Sequence, residues 1–457
     1  MRISLLTMSG INKELNEAAD VAAANHDNSS SEPSHDKDVA SNEAFATEKG
    51  SGPDPSAFPD GGWEAWLAVA GGFFTVFSSF GWINCIGIFQ NYYQANQLKS
   101  YSTSTVSWIT STESFMMFFW GPVVGKLVDN YGPRWPIIAG SFLHIFGLMM
   151  TSISKQYYQI FLAQAVCSAI GCSFLFYPTL AAIGTWFRAR RAFAFGIITA
   201  GSSLGGVVLP IMVEKLIIKV GFGWAMRSVA FMLLGLLIFG NATLKSRLPP
   251  LRRPVSLMDF VRPYFEIPFL LLSISSFFLY IAGFLPFNYL IVQAEASGMS
   301  MSLAGYLISI LNAGSTFGRI LPAYLADKMG SFNVMIIFAV FSGIVSLALW
   351  LPARSNAPII VFACLYGVGS GCILSIIPAM VAQISDIRQL GVRSGALYVL
   401  SSVGVLVGSP IAGAIVNDQH GQFSGLIIFC GVMLLVGAFF AILSRYSQVG
   451  FKLIVKV

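Results

Sequence analysis

Two ionisable side chains, Glu113 and Arg319, stand inside long apolar runs of this 457-residue chain. Charge is costly in hydrocarbon, and where it is found there it usually has work to do. The guanidinium of Arg319 is a fixed positive charge whose planar fork matches a carboxylate. Asp327 lies eight residues on, so the same arginine could instead serve a contact at the end of its helix. Glu113 could carry a proton, pair with a cation or face a wet cavity. It could also be a structural acid bonded to neighbours such as Ser111 and Thr112. His144 reads as a satisfied interior histidine. The six cysteines all lie within apolar runs, without disulfide or metal-ligand spacing, and read as small hydrophobes. The chain carries no Ser/His/Asp set, metal cluster, Walker loop or dinucleotide fingerprint, so no enzyme activity, metal or cofactor is expected.

These groups need helices in a bilayer to position them. Hydrophobic residues make up 55% of the chain and charged residues 11%, and the mean hydropathy is +0.71. A soluble domain carries roughly 25% charged residues. A soluble enzyme, a nucleic-acid binder and a disordered scaffold are therefore excluded. Twelve apolar spans are predicted, at about 66–90, 106–128, 135–153, 158–183, 192–216, 223–243, 267–291, 302–325, 333–352, 358–383, 392–416 and 424–445. Each can cross roughly 30 Å of hydrocarbon as a helix. Continuous apolar runs lack the alternation of a barrel strand. The expected fold is all-α, with twelve transmembrane helices in two halves.

Charge divides the chain further. Residues 1–60 hold 4 Lys/Arg against 11 Asp/Glu, and the remainder holds 23 against 10. Residues 1–59 read as a disordered acidic tail. Met1–Met8 has too short an apolar stretch for a signal peptide. Residues 60–243 form the first six-helix half, 244–266 a basic connecting loop, 267–445 the second half and 446–457 a short tail. Counting alternate loops from the N-terminus gives thirteen Lys/Arg on one side, from Lys126 to Arg393, and six on the other. That bias puts both termini in the cytoplasm.

The halves repeat each other. Pro122, Gly171, Pro178 and Pro210 recur 200 residues later as Pro322, Gly371, Pro378 and Pro410. Asp129 and Gly132 recur 198 residues later as Asp327 and Gly330. Duplicated six-helix halves are the plan of a rocking transporter whose ligand site lies at the repeat interface near the midplane.

Three motifs sharpen this reading. The first is Gly125-Lys126-Leu127-Val128-Asp129-Asn130-Tyr131-Gly132-Pro133-Arg134, with a degraded copy from Gly318 to Gly330. A carboxylate at a helix end can face a neighbouring helix N-terminus and a loop arginine, so Asp129, Arg134 and Asp327 form a candidate conformational latch. The second is Asp60-Gly61-Gly62-Trp63-Glu64-Ala65-Trp66, in which Asp60 can cap the new helix and the tryptophans suit an interface. The third runs from Gly171 to Gly206 and includes Trp186-Phe187, Arg190-Arg191 and the pairs Gly196/Ala200 and Gly201/Gly205, one helical turn apart. Small residues at that spacing let backbones approach closely, and Gly404/Gly408 repeats the device.

The first motif resembles the loop-2/3 signature of the major facilitator superfamily. The other two resemble signatures of its monocarboxylate porter family, in the fungal form. The resemblance covers most of residues 60–445. It implies proton-linked secondary transport by alternating access, and it gives Arg319 the position of an arginine that holds an anionic substrate. Porters of short monocarboxylates also carry a lysine in span one and an aspartate one turn before that arginine. Here those places hold Gly81-Trp82-Ile83-Asn84-Cys85 and Ser315. A missing charged clamp, with Asn84, Tyr280, Asn288, Asn312 and Tyr366 available, suits a larger and less polar ligand.

The expected function is thus movement of a small organic anion or amphipathic metabolite across a membrane, with Glu113 as a candidate proton carrier and efflux of a secondary metabolite favoured. Uptake of a monocarboxylate or vitamin-like solute is the alternative, and a nontransporting nutrient sensor an alternative of another class. The plasma membrane, a monomeric state and no nucleic-acid partner are expected.

Overall fold

The computed structural model describes residues 58–250, 252, 254 and 256–450, without the side chains of Thr103 and Ser104. Nearly all of the acidic segment expected to be a tail lies outside the described residues, as do the last seven residues. The described crossings are all helical, as hydrocarbon demands of a backbone that must satisfy its own hydrogen bonds.

The twelve spans are two six-helix repeats. Among the described residues, nine helices are long and apolar enough to cross a membrane. One of these, Arg191–Thr243, is two crossings: Gly221 turns the chain with φ 77°, so span five precedes it and span six follows. The other two crossings are more polar. Span two is Thr103–Phe119 followed by Gly121–Tyr131, and span eight is Leu307–Met329. They carry Glu113 and Asp129, and Arg319 and Asp327, the groups singled out by their chemistry. Span twelve, Ser424–Val449, extends past the predicted boundary at 445.

Several helices break where a side chain or a proline interrupts the ladder. Span one, Trp63–Ala95, breaks at Asn84 and Cys85. Span seven, Ile267–Ala296, breaks at Phe284 ahead of Leu285 and Pro286, whose ring removes a donor. The two breaks are 200 residues apart, at the repeat offset. Span four widens into a π-helical turn at Phe161–Ser168, a feature often found where a helix presents functional groups.

Close backbone approach fixes the halves internally. Span one packs on span five where Gly81 meets Gly205: a Cβ on Gly81 would stand 3.0 Å from the Gly205 Cα. The Gly404/Gly408 pair of span eleven receives backbone oxygens of Phe277 and Ile281 on span seven.

At the end of the bundle rich in Lys and Arg, the segment before span one docks on the loop between spans four and five. Asp60 does not cap span one, whose helix begins after Gly62. Its Oδ1 instead accepts from the backbone amides of Arg188 and Ala189 at 2.6 and 2.7 Å. Asp60 adopts φ 50°, which turns its carboxylate toward that loop. Trp66 meets Phe187 with ring centres 5.2 Å apart, and Arg191 and Arg247 flank the Phe58 ring. The connecting segment Met258–Phe265 lies against both halves. Asp259 holds Lys126 at 2.6 Å, Tyr264 donates to the Ala396 carbonyl, and Glu266 takes a two-pronged contact from Arg393.

Candidate functional site

The seam between the two repeats collects most of the groups of interest. At the Lys/Arg-rich end it is shut by two carboxylates, each at the end of one helix and each facing the first turn of a helix in the other half. Asp129 of span two accepts from Gly391 N at 3.0 Å and Val392 N at 2.9 Å, at the start of span eleven. Asp327 of span eight accepts from Ala192 N and Phe193 N, both at 2.9 Å, at the start of span five. First-turn amides have no partner within their own helix, and the helix dipole adds a partial positive charge there. A carboxylate meets both needs.

Arg134, expected to share the latch, is not part of it. Its side chain is exposed at the start of span three, and the paired amides already supply the donors. Behind the Asp129 contact the two backbones nearly touch. A Cβ on Gly125 would lie 2.1 Å from the Gly391 carbonyl oxygen.

Midway along the seam stands Arg319, 3% exposed. Its guanidinium donates to the Thr199 carbonyl and the Ser202 Oγ of span five, both at 2.6 Å, and to Ser315 Oγ at 3.3 Å on its own helix. The guanidinium carbon lies 5.9 Å from the centre of the Phe80 ring. No carboxylate is within ion-pair distance of it among the described residues. Ser315 Oγ also receives a hydrogen bond from Ser203 of the other half at 3.0 Å. The charge is therefore buried on neutral partners, most of them across the seam.

Asn312 bonds across the same seam, and Asn84 lies beside it within the first half. Asn84 Nδ2 donates to the Ser202 carbonyl at 3.3 Å, and Asn312 Nδ2 to the Gly206 carbonyl at 3.4 Å. Tyr280 belongs to an aromatic group beside Arg319, 5.4 Å from Phe118 of the opposite half by ring centres. Two of the predicted residues stand elsewhere. Asn288 is exposed and bonded to Ser409 at 2.7 Å, within the second half. Tyr366 is fully buried against Phe362 and donates to the Gly283 carbonyl at 3.2 Å, filling the interior of that half.

Glu113 is fully buried inside the first half, away from the seam contacts. Ser111 and Thr112 are not its partners. Trp82 Nε1 of span one donates to it at 3.0 Å, and Gln164 Nε2 of span four at 2.9 Å. Gln164 sits in the π-helical turn and also accepts from the Tyr93 hydroxyl. His144 Nδ1 lies 2.9 Å from Ser168 Oγ and 3.4 Å from Cys172 Sγ, while its Nε2 has no hydrogen bond. The predicted satisfied histidine is satisfied at one nitrogen.

The acceptors on Thr199 and Ser202, the partners of Glu113 and, apart from Tyr280, the aromatic rings of the seam are absent from the sequence-based candidates. One signal was available: Phe80 and Tyr280 are 200 residues apart, as are Asn84 and Phe284.

Comparison with known proteins bears on what this arrangement does. The family model described as Major Facilitator Superfamily matches residues 71–354 and 272–452. The chain is 51% identical to "MFS-type transporter 1" of Ophiocordyceps sp., over 88% of this chain and 90% of the relative. It is 42% identical to the "Fujikurins efflux protein" of Gibberella fujikuroi, over 85% and 83%. Among solved structures, the E. coli fucose:proton symporter overlays with a TM-score of 0.67 at 13% identity, covering 83% of this chain and 98% of that one. The human organic anion transporter MFSD10 overlays with the same score at 15% identity, covering 82% and 98%.

Proposed function

The chain belongs to the major facilitator superfamily, and from that premise we propose that it exports an organic acid or amphipathic metabolite across the plasma membrane, linked to protons. It is a multi-pass membrane transporter that works by alternating access. The observation that carries the finer reading is Arg319. A buried guanidinium with only neutral partners is expensive in a bilayer, and its cost is offset when a ligand brings the missing negative charge. Its donors are held by Thr199 and Ser202 of the opposite half. An arriving carboxylate competes for them, so occupancy is coupled to the contact between halves.

The transport cycle follows from the same contacts. Residues 60–243 rock against 267–445, and the Asp129 and Asp327 contacts hold one end shut in the conformation described. The excess of Lys and Arg supports a cytoplasmic position for that end. Asn84, Asn312 and Tyr280 line the path beside Arg319. Glu113, in the span-one/two/four interior, is the proton carrier. Export is favoured because relatives are named as efflux proteins.

The test compares organic acids inside and outside cells that make or lack the protein. Producing cells should retain less of one or a few acidic metabolites, and Arg319→Ala should restore retention. Unchanged partitioning of every acid, or full export by Arg319→Ala, overturns the reading.

A further inference from the structure

We infer that the ligand is a flat conjugated acid, sandwiched between aromatic rings contributed by both halves; this rests on the reading of Arg319 as the anion's partner. The walls are Phe80, Phe118 and Phe176 from the first half and Tyr280, Phe284 and Tyr398 from the second. Ring meets ring across the seam repeatedly. Phe118 and Tyr398 are near-parallel, with centres 5.5 Å apart and planes at 23°. Phe80 and Phe284 stand 6.4 Å apart at 26°. Phe118 meets Tyr280 edge-on at 5.4 Å, and Phe176 meets Tyr398 at 5.8 Å.

These rings are on the moving surface of the machine. When the halves part, each loses its partner and exposes an aromatic face. A flat π-system entering between parallel pairs such as Phe118/Tyr398 restores face contacts on both sides, whereas a puckered aliphatic skeleton restores area without that geometry.

A second observation points into the same space. The Tyr398 hydroxyl is fully buried and rests on the Tyr280 hydroxyl in a hydrogen bond of poor geometry. One turn earlier on span eleven, Ser394 Oγ is also buried without a partner. Buried polar groups are normally well satisfied, so a phenol with so poorly aligned a partner marks a place where a better acceptor fits. Arg319 contacts the edge of this group through Phe80. The geometry therefore offers one guanidinium and a phenol donor to acidic or enolic oxygens, and ring faces to the conjugated body. No carboxylate faces the rings among the contacts described, which disfavours a cationic ligand.

The experiment uses the full-length protein in lipid nanodiscs and three probes of matched skeleton: 2-naphthoate, decahydro-2-naphthoate and 2-naphthamide. Affinity is read by calorimetric titration. The flat acid should bind about tenfold tighter than its saturated counterpart, the margin expected of two added ring contacts. Phe118→Leu, with Phe80→Leu as a second variant if the first elutes as aggregate, should shrink that ratio to less than threefold by weakening the flat acid alone. Equal affinity for the two acids, a ratio unchanged in both variants, or no binding of any probe overturns the inference. If 2-naphthamide binds as tightly as 2-naphthoate, in the native protein and in Arg319→Ala alike, the reading of Arg319 fails instead, and a surviving flat-over-saturated preference for the amide would show that the two claims had separated.

Discussion

The carboxylate of Asp129 accepts the backbone amide of Val392 at 2.9 Å, joining the end of span two to the first turn of span eleven in the opposite half. Asp327 and Phe193 are related in the same way across the other crossing. Each contact closes the bundle through amides that no helix can satisfy by itself.

Asp129→Asn keeps the shape and removes the charge. Charge-assisted hydrogen bonds contribute about 1.5–3 kcal/mol, so closure there should weaken by about tenfold to a hundredfold. Hydrogen exchange read by mass spectrometry should accelerate at Gly391 and Val392 and stay nearly constant at Ala192 and Phe193. Exchange that is unaltered at residues 391–392 would count against the contact as a closing force.

Gly125→Leu acts on the same end by bulk. Its Cβ has no room beside the Gly391 carbonyl, with 2.1 Å available. The protein should fold but rest with that end apart. Spin labels on the exposed positions 188 and 388 should report a longer distance in this variant than in the native protein, and the transport rate should fall at least tenfold. A native distance distribution would show that the helices can repack locally.

Ser202→Ala removes a neutral acceptor of Arg319, which on the proposed reading competes with substrate. Losing one hydrogen bond to a charged group should favour the anion by about tenfold to a hundredfold, seen as a lower half-saturating concentration for the exported acid. A weaker apparent affinity would mean that Ser202 holds the ligand directly rather than holding Arg319.

Glu113→Gln is near-isosteric but puts an amide opposite donors on Trp82 and Gln164. One contact must be lost, and stability should drop by about 1–3 kcal/mol, visible as a lower thermal midpoint. With Glu113 as the proton carrier, export driven by a pH gradient should vanish while substrate-for-substrate exchange persists. Gradient-driven export at the native rate would move the coupling elsewhere.

Much of the architecture was legible because it depends on local pattern. Apolar run length gave the crossings, and the recurrence of Pro122 as Pro322 and Asp129 as Asp327 gave the two halves. The facing of Asp129 and Asp327 toward helix starts could be anticipated, since a carboxylate at a helix end seeks such amides. What failed was long-range partner choice. Arg134 sits beside Asp129 in sequence, yet the neighbour that matters is 262 residues away. Asp60 looks like a cap for the helix that follows it, yet it turns back onto residues 188–190. Ser111 and Thr112 adjoin Glu113 in sequence, but on a helix adjacent side chains diverge, and Trp82 and Gln164 reach it from other spans. The ring pairs between halves have no spacing signature beyond the offset of 200 that links Phe80 with Tyr280.

The segment joining the halves is tied down at three points, Asp259 to Lys126, Tyr264 to the Ala396 carbonyl and Glu266 to Arg393. The outer two ties are seven steps apart along the chain, and fully stretched chain covers at most about 3.6 Å per residue. While those ties hold, the backbone at positions 259 and 266 cannot part by more than roughly 25 Å, and only the reach of the tying side chains adds to that. The connector is a leash as well as a link: its length limits how wide the mouth opens on that side, and so how bulky a passenger can board.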